Sequence, residues 1–184
     1  MCASLILAAA AAAPAWAQVE RRDADILQDV SSAVLGYPQF TIFDDVTAAA
    51  DRGFVTLFGR VTMGHKRTDI GRRVARVRGV KEVENRIEVL PNSPFDERLR
   101  NSVARAIYGH SAFWHYASMT NPPIHIIVEN GRIILTGVVA NEVERMLART
   151  IAASSSAFSV TSDLKTDQEM KLILERQRIR ESRF

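Results

Sequence analysis

Apolar side chains at Ile26, Val30, Ala33 and Val34 fall on one face of a helix. Asp23 or Asp25 supplies its N-cap, and Gly36 with Pro38 ends it. Residues 46–50 form a weak strand by propensity alone, strengthened by the turn Asp51-Arg52-Gly53 and the strand-like run 54–61 that follows. Residues 62–66 read as a polar connection and 68–78 as a helix with Ile70, Val74 and Val77 inward. Gly79 stops that helix, and 83–90 alternates apolar and polar as a last strand. Pro91-Asn92-Ser93-Pro94 is a linker by composition.

The same order then returns: helix 96–108, a long connection to Pro122-Pro123, strand 124–128, an Asn130-Gly131 hairpin turn and strand 132–139. A helix capped by Asn141, with Glu144 three residues on, runs to about residue 153, and 158–164 closes the unit. The two halves match residue by residue. Gly53 pairs with Gly131 and Gly59 with Gly137, both at a spacing of 78. Upstream, Ile26, Val30, Ala33, Val34 and Gly36 match Leu99, Val103, Ala106, Ile107 and Gly109 at 73; downstream, Val83 and Ile87 match Val160 and Leu164 at 77. The second copy therefore holds five extra residues between its first helix and its hairpin, and one fewer near its end. Such changes belong in loops. Gly53 and Gly131 are expected to supply positive φ in the turns, and Gly59 and Gly137, inside strands, close backbone approach or a bulge.

Gly53-x-Val55-x-Leu57-x-Gly59-x-Val61, followed by Gly79-Val80-x-x-Val83-x-Asn85-x-Ile87, resembles the BON domain family. The second copy carries Gly131, Ile133, Leu135, Gly137 and Val139, then Val160 and Leu164. It departs at its end, where Ser154-Ser155-Ser156-Ala157-Phe158 replaces Gly-Val and Ser162 stands in place of Asn85. The resemblance implies an α+β fold of two tandem αββαβ modules, each a small three-stranded sheet covered by two helices. The modules are expected at 22–90 and 95–167, joined by a 91–94 linker and followed by a short basic amphipathic helix over 169–184. Units of this size bury only marginal cores alone, so they are expected to pack on each other.

Composition changes the picture at the start of the chain. Residues 1–17 carry no charge, run through Leu5-Ile6-Leu7 and six consecutive alanines, and end Ala15-Trp16-Ala17, as a secretory signal peptide cleaved near Ala17 would. No Lys or Arg precedes the apolar stretch, which implies a start upstream of Met1 or a truncation. The single cysteine, Cys2, would leave with this leader, so no disulfide or thiolate site is expected in the mature chain. The expected location is the periplasm.

Candidate catalytic chemistry is sparse. His65, His110, His115 and His125 do not fall at metal-ligand spacing, no nucleophile lies in a Gly-x-Ser-x-Gly context, and there is no Gly-rich phosphate loop. Asp44-Asp45 reads as solvated charge before a strand. No enzyme activity, metal or cofactor is expected.

Charge says more than the overall +3. Seven basic residues and one acid lie between Lys66 and Lys81, and Arg72, Arg73 and Arg76 fall away from the Ile70-Val74-Val77 face as a basic strip. In the second copy Tyr108, Phe113, Trp114, His115 and Tyr116 follow a helix whose polar face presents Arg98 and Arg105. Arginines beside amphipathic aromatics suit a membrane interface. The resemblance adds that some two-BON proteins bind anionic phospholipid through the first helix of the second domain, which points to Arg98, Arg105, Phe113 and Trp114. The expected function is a non-catalytic envelope-binding module that recognises anionic phospholipid or a membrane surface and supports envelope integrity under stress. The alternative is a periplasmic protein–protein adaptor with an envelope protein as partner. Nucleic acid is not expected, since no aromatic interleaves the basic strip.

Overall fold

The computed structural model describes residues 21–181; the proposed leader lies outside the described residues. The first module runs α1 (Asp23–Leu35), β1 (Asp45–Asp51), β2 (Phe54–Val61), α2 (Gly64–Val74), β3 (Glu82–Asn85) and β4 (Glu88–Val89). The second runs α3 (Pro94–Tyr108), α4 (Trp114–Ala117), β5 (Ile124–Glu129), β6 (Arg132–Val139), α5 (Glu142–Ala153), β7 (Ser159–Ser162) and β8 (Lys165–Thr166), and α6 (Asp167–Glu181) follows. Each module is an antiparallel hairpin whose second strand pairs in parallel with the last strand, reached over a helical crossover. The fold is α+β, two tandem modules of one design.

The last strand of each copy is broken in two. In the first, Asn85 Oδ1 accepts the Ile87 amide at 3.2 Å while Asn85 Nδ2 donates to the Arg67 carbonyl at 2.8 Å, tying the break to α2. Each sheet buries alternate residues against its own helices. Ile26, Val30, Val55, Leu57, Val61, Ile70 and Val74 form one core; Val103, Ile107, Phe113, Ile126, Val128, Ile133 and Leu135 form the other.

The turns of both hairpins are held by an aspartate from the preceding helix. Asp96 accepts the Asn130 and Gly131 amides at 2.9 and 2.8 Å, and Asp23 accepts those of Arg52 and Gly53 at 2.7 and 3.0 Å. Asp23 is thus spent on the turn and does not cap α1, whose N-cap position, Arg22, makes no side-chain capping bond. Arg52, Gly53, Asn130 and Gly131 all take positive φ, which leaves their amides turned inward and in need of an acceptor.

Three expectations are corrected. Helix α2 begins at Gly64 and ends at Val74, so Lys66 belongs to the helix and not to a polar connection. Asp44 is fully buried rather than solvated. Its Oδ2 accepts Lys66 Nζ at 2.6 Å and the Thr41 amide and hydroxyl at 2.9 and 2.8 Å; its Oδ1 accepts the Thr62 amide and hydroxyl at 2.8 and 3.0 Å. A buried ion pair survives only when its remaining hydrogen-bonding capacity is met in this way. Helix α6 is not amphipathic, because Leu172, Ile173 and Leu174 are consecutive and all exposed.

The modules touch through the loop before β1. The Ile126 amide of β5 donates to the Ile42 carbonyl at 2.7 Å, His125 Nδ1 lies 2.6 Å from the Asp44 carbonyl oxygen, and Ile42 and Phe43 pack against the second core. Arg60 meets Glu129 at 3.5 Å. The edge strand of the second sheet is therefore covered by the first module, and the loop that covers it is fastened by Asp44.

Candidate functional site

Helix α3 starts at a Ser93 N-cap, whose hydroxyl accepts the Asp96 amide at 3.2 Å, with Pro94 in its first turn. Asp96, Leu99, Arg100, Val103 and Ile107 turn inward. Arg100 is buried and donates to the Val128 carbonyl at 2.8 Å, and burial holds its guanidinium below its ordinary pKa. That inward stripe leaves Arg98 and Arg105 on the opposite ridge, two turns apart. Both are exposed, and neither side chain has a hydrogen-bond or ion-pair partner among the described residues.

The aromatic cluster divides. Phe113 is fully buried and stacks on Tyr116 at 6.2 Å, so it belongs to the core and offers no surface to a membrane. The five-residue insertion explains this: residues 111–113 form a single 3-10 turn leading into α4, and Phe113 fills the space beneath α3. Burying a phenyl ring completely contributes about 1.5–3 kcal/mol. Tyr108 donates to the Ile124 carbonyl. Tyr116 donates to Glu144 at 2.7 Å and accepts the Ala140 amide at 2.9 Å; burial, then the bond to Glu144, push its hydroxyl up to about 12. Trp114 differs from these three. It is 64% exposed, and its indole Nε1 donates to the Gly109 carbonyl at 3.1 Å, which pins the ring at the C-terminal end of α3.

The basic strip, Arg72 and Arg73 on α2 with Arg76 just past its end, is less available. Arg72 pairs with Asp69, whose carboxyl is held below its usual range by Arg72 first and the Tyr37 hydroxyl second. Arg73 donates to the Gly36 carbonyl at 2.8 Å and lies over the Tyr37 ring at 5.5 Å. Of the three, Arg76 alone is exposed with no side-chain partner among the described residues.

Gly59 and Gly137 have φ of 120° and 110°, and a Cβ on either would lie 2.0 Å from the Asp45 carbonyl oxygen or 1.8 Å from that of Pro123. The sequence pattern does not announce the aspartates' grip on the hairpin turns, although the 73-residue spacing that aligns α1 with α3 also sets Asp23 on Asp96.

Among the described residues, no group of three or more His, Cys, Asp or Glu is placed to hold a metal, and no helix is long and apolar enough to cross a membrane. The interface cleft bounded by Phe40, Thr120 and His125 holds about 210 Å³ and brings no cluster of charged groups together.

Two small sheets, each with an antiparallel hairpin, a parallel third strand and two covering helices, define a tandem αββαβ protein. The BON domain model matches residues 22–91 and again 97–167, so the chain belongs to the BON domain family. No curated protein matches. Among solved structures, the chain is similar to CdsD, a structural protein of the type III secretion system of Chlamydia trachomatis. Identity is 15%, the match covers 82% of this chain and 97% of that one, and the TM-score is 0.28. The C-terminal domain of CdsD gives 15% identity over 76% and 96% of the two chains, with a TM-score of 0.29. Likenesses of this degree carry no function to the present chain.

Proposed function

We propose that this protein is a non-catalytic binding module of the bacterial envelope that holds anionic phospholipid through the outer ridge of α3. One observation carries the reading: Arg98 and Arg105 stand exposed and unpartnered on one ridge, with the exposed Trp114 indole pinned at its end. Two cations near an anionic surface contribute about 1 kcal/mol each at low salt. Trp114 adds an amphipathic ring suited to the headgroup level, a contribution that salt does not screen. The family's association with membrane and envelope binding supports this choice. Export to the periplasm, with cleavage near Ala17, and support of envelope integrity under stress complete the reading.

Cosedimentation with vesicles containing phosphatidylglycerol tests it. R98Q/R105Q should weaken binding by about 2 kcal/mol at low salt and little at high salt, whereas Trp114→Ala should weaken it at both. R72Q/R73Q/R76Q is the control and should bind nearly as the parent does. Loss with the control and not with R98Q/R105Q would move the site to α2.

A protein–protein adaptor is the second reading, favoured by the open face of the first sheet. There Phe54 and Phe58, on β2, are 51% and 39% exposed, an apolar pair that a protein partner could cover.

A further inference from the structure

At the opposite end of α3 from Trp114, Phe95 and Phe158 stack with ring centroids 6.2 Å apart. Both are exposed, at 41% and 79%. Phe158 is set there by its amide, which donates to the Gly131 carbonyl at 2.8 Å, and the two rings lie across the outside of the hairpin turn. They lie so close that a Cβ on Gly131 would come 2.5 Å from the Phe158 ring and 3.2 Å from that of Phe95.

The first module shows that the fold does not require aromatics at these positions. Lys81 stands where Phe158 does, its amide donating to the Gly53 carbonyl at the same 2.8 Å. Arg22 stands where Phe95 does, one residue before the aspartate that grips the turn. One module thus sets the charged Lys81 side chain beside its hairpin turn, with Arg22 paired to Asp25, whereas the other lays two phenyl rings open to solvent across its own. Exposing a contiguous aromatic surface has no structural return that the first module needed, and such patches mark contact sites. The neighbouring charge identifies the contact: Arg98 lies one turn along α3 from Phe95, unpartnered, and Arg105 continues the ridge.

We propose that the Phe95–Phe158 stack is an apolar anchor that enters the acyl boundary of an anionic bilayer while Arg98 and Arg105 hold its phosphates. This rests on the lipid reading above and gives it a second aromatic foot about 20 Å from Trp114, the length of α3. Such a foot supplies the salt-insensitive part of an interfacial attachment.

The test is vesicle binding by the full chain, with phosphatidylcholine vesicles and with mixed phosphatidylglycerol/phosphatidylcholine vesicles, at 0.1 and about 0.5 M salt, ionic strengths that bracket effective screening. Phe158→Ser, at a position so exposed that the melting temperature should not move, is expected to lower affinity for the mixed vesicles at both salt concentrations. F95R/F158K, which installs the residues of the first module, should weaken the binding that survives high salt and leave only the part that Trp114 supplies. Phe158→Leu should restore most of what is lost. If the parent binds mixed vesicles, and R98Q/R105Q weakens this while Phe158→Ser and F95R/F158K bind like the parent at high salt, the anchor is wrong and the lipid reading stands. If the parent ignores both kinds of vesicle, the lipid reading itself falls and the anchor with it, leaving the exposed stack to a protein partner.

Discussion

At Gly59 and Gly137 the chain turns through a backbone conformation that disfavours side chains, and at both points a carbonyl oxygen occupies the space a Cβ would need. Each faces the start of its hairpin partner, opposite Val46 and Ile124. Gly→Val at either position should cost a few kcal/mol, because strain and a clash with main chain add and the neighbour has no flexible end to yield. Thermal melts followed by near-UV circular dichroism check this; a variant that melts like the parent would end the claim that the two glycines do the same work. Asp44 is the opposite kind of residue, a buried charge whose five contacts come from Thr41, Thr62 and Lys66. It fixes the loop whose Ile42 and Phe43 pack on the second module.

Helix α6 is secured at its start and exposed beyond it. The Thr166 amide donates to Glu169 Oε2 at 2.9 Å, the Glu169 amide donates back to Thr166 Oγ1 at 3.2 Å, and Arg145 meets the same carboxylate at 2.9 Å. The Thr166 amide first, and Arg145 second, hold the Glu169 carboxyl below its ordinary 4.5. A carboxyl depressed in the folded state contributes stability above its unfolded value, and that contribution is lost as pH falls through the folded one. The amide resonance of Thr166 should therefore titrate with a midpoint below 4.5, and Glu169→Gln should abolish the transition; a midpoint at or above 4.5 would contradict the cap.

Elements that rest on local pattern were legible in sequence. The two hairpins, the inward faces of α1 and α2, and the register of the repeat are set by periodicity and turn residues close together in the chain. What escaped depends on distant partners. Lys66 reads as polar until Asp44, 22 residues earlier, is brought beneath it, and the same contact explains why Asp44 is not solvated. Phe113 reads as an interface aromatic until the insertion folds it under α3. Helix periodicity alone places Arg98 and Arg105 opposite the buried stripe of α3, as the structure does.

As a whole, the molecule is a repeat whose copies have diverged on their surfaces and kept their frames. The glycines, the turn-gripping aspartates and the parallel third strands are shared. The differences are the insertion that buries Phe113, the aromatic stack over one turn where the other carries Arg22 and Lys81, and the loop by which the first module covers the β5 edge of the second. That cover leaves the ridge of α3 open to solvent. Hydrogen–deuterium exchange of the full chain, with and without vesicles containing phosphatidylglycerol, reads the central claim directly. Slowed exchange over residues 94–118 and at the hairpin turn 129–132 on adding these vesicles, and not on adding phosphatidylcholine alone, is the predicted result. Slowed exchange confined to the first module, or none anywhere, would contradict it.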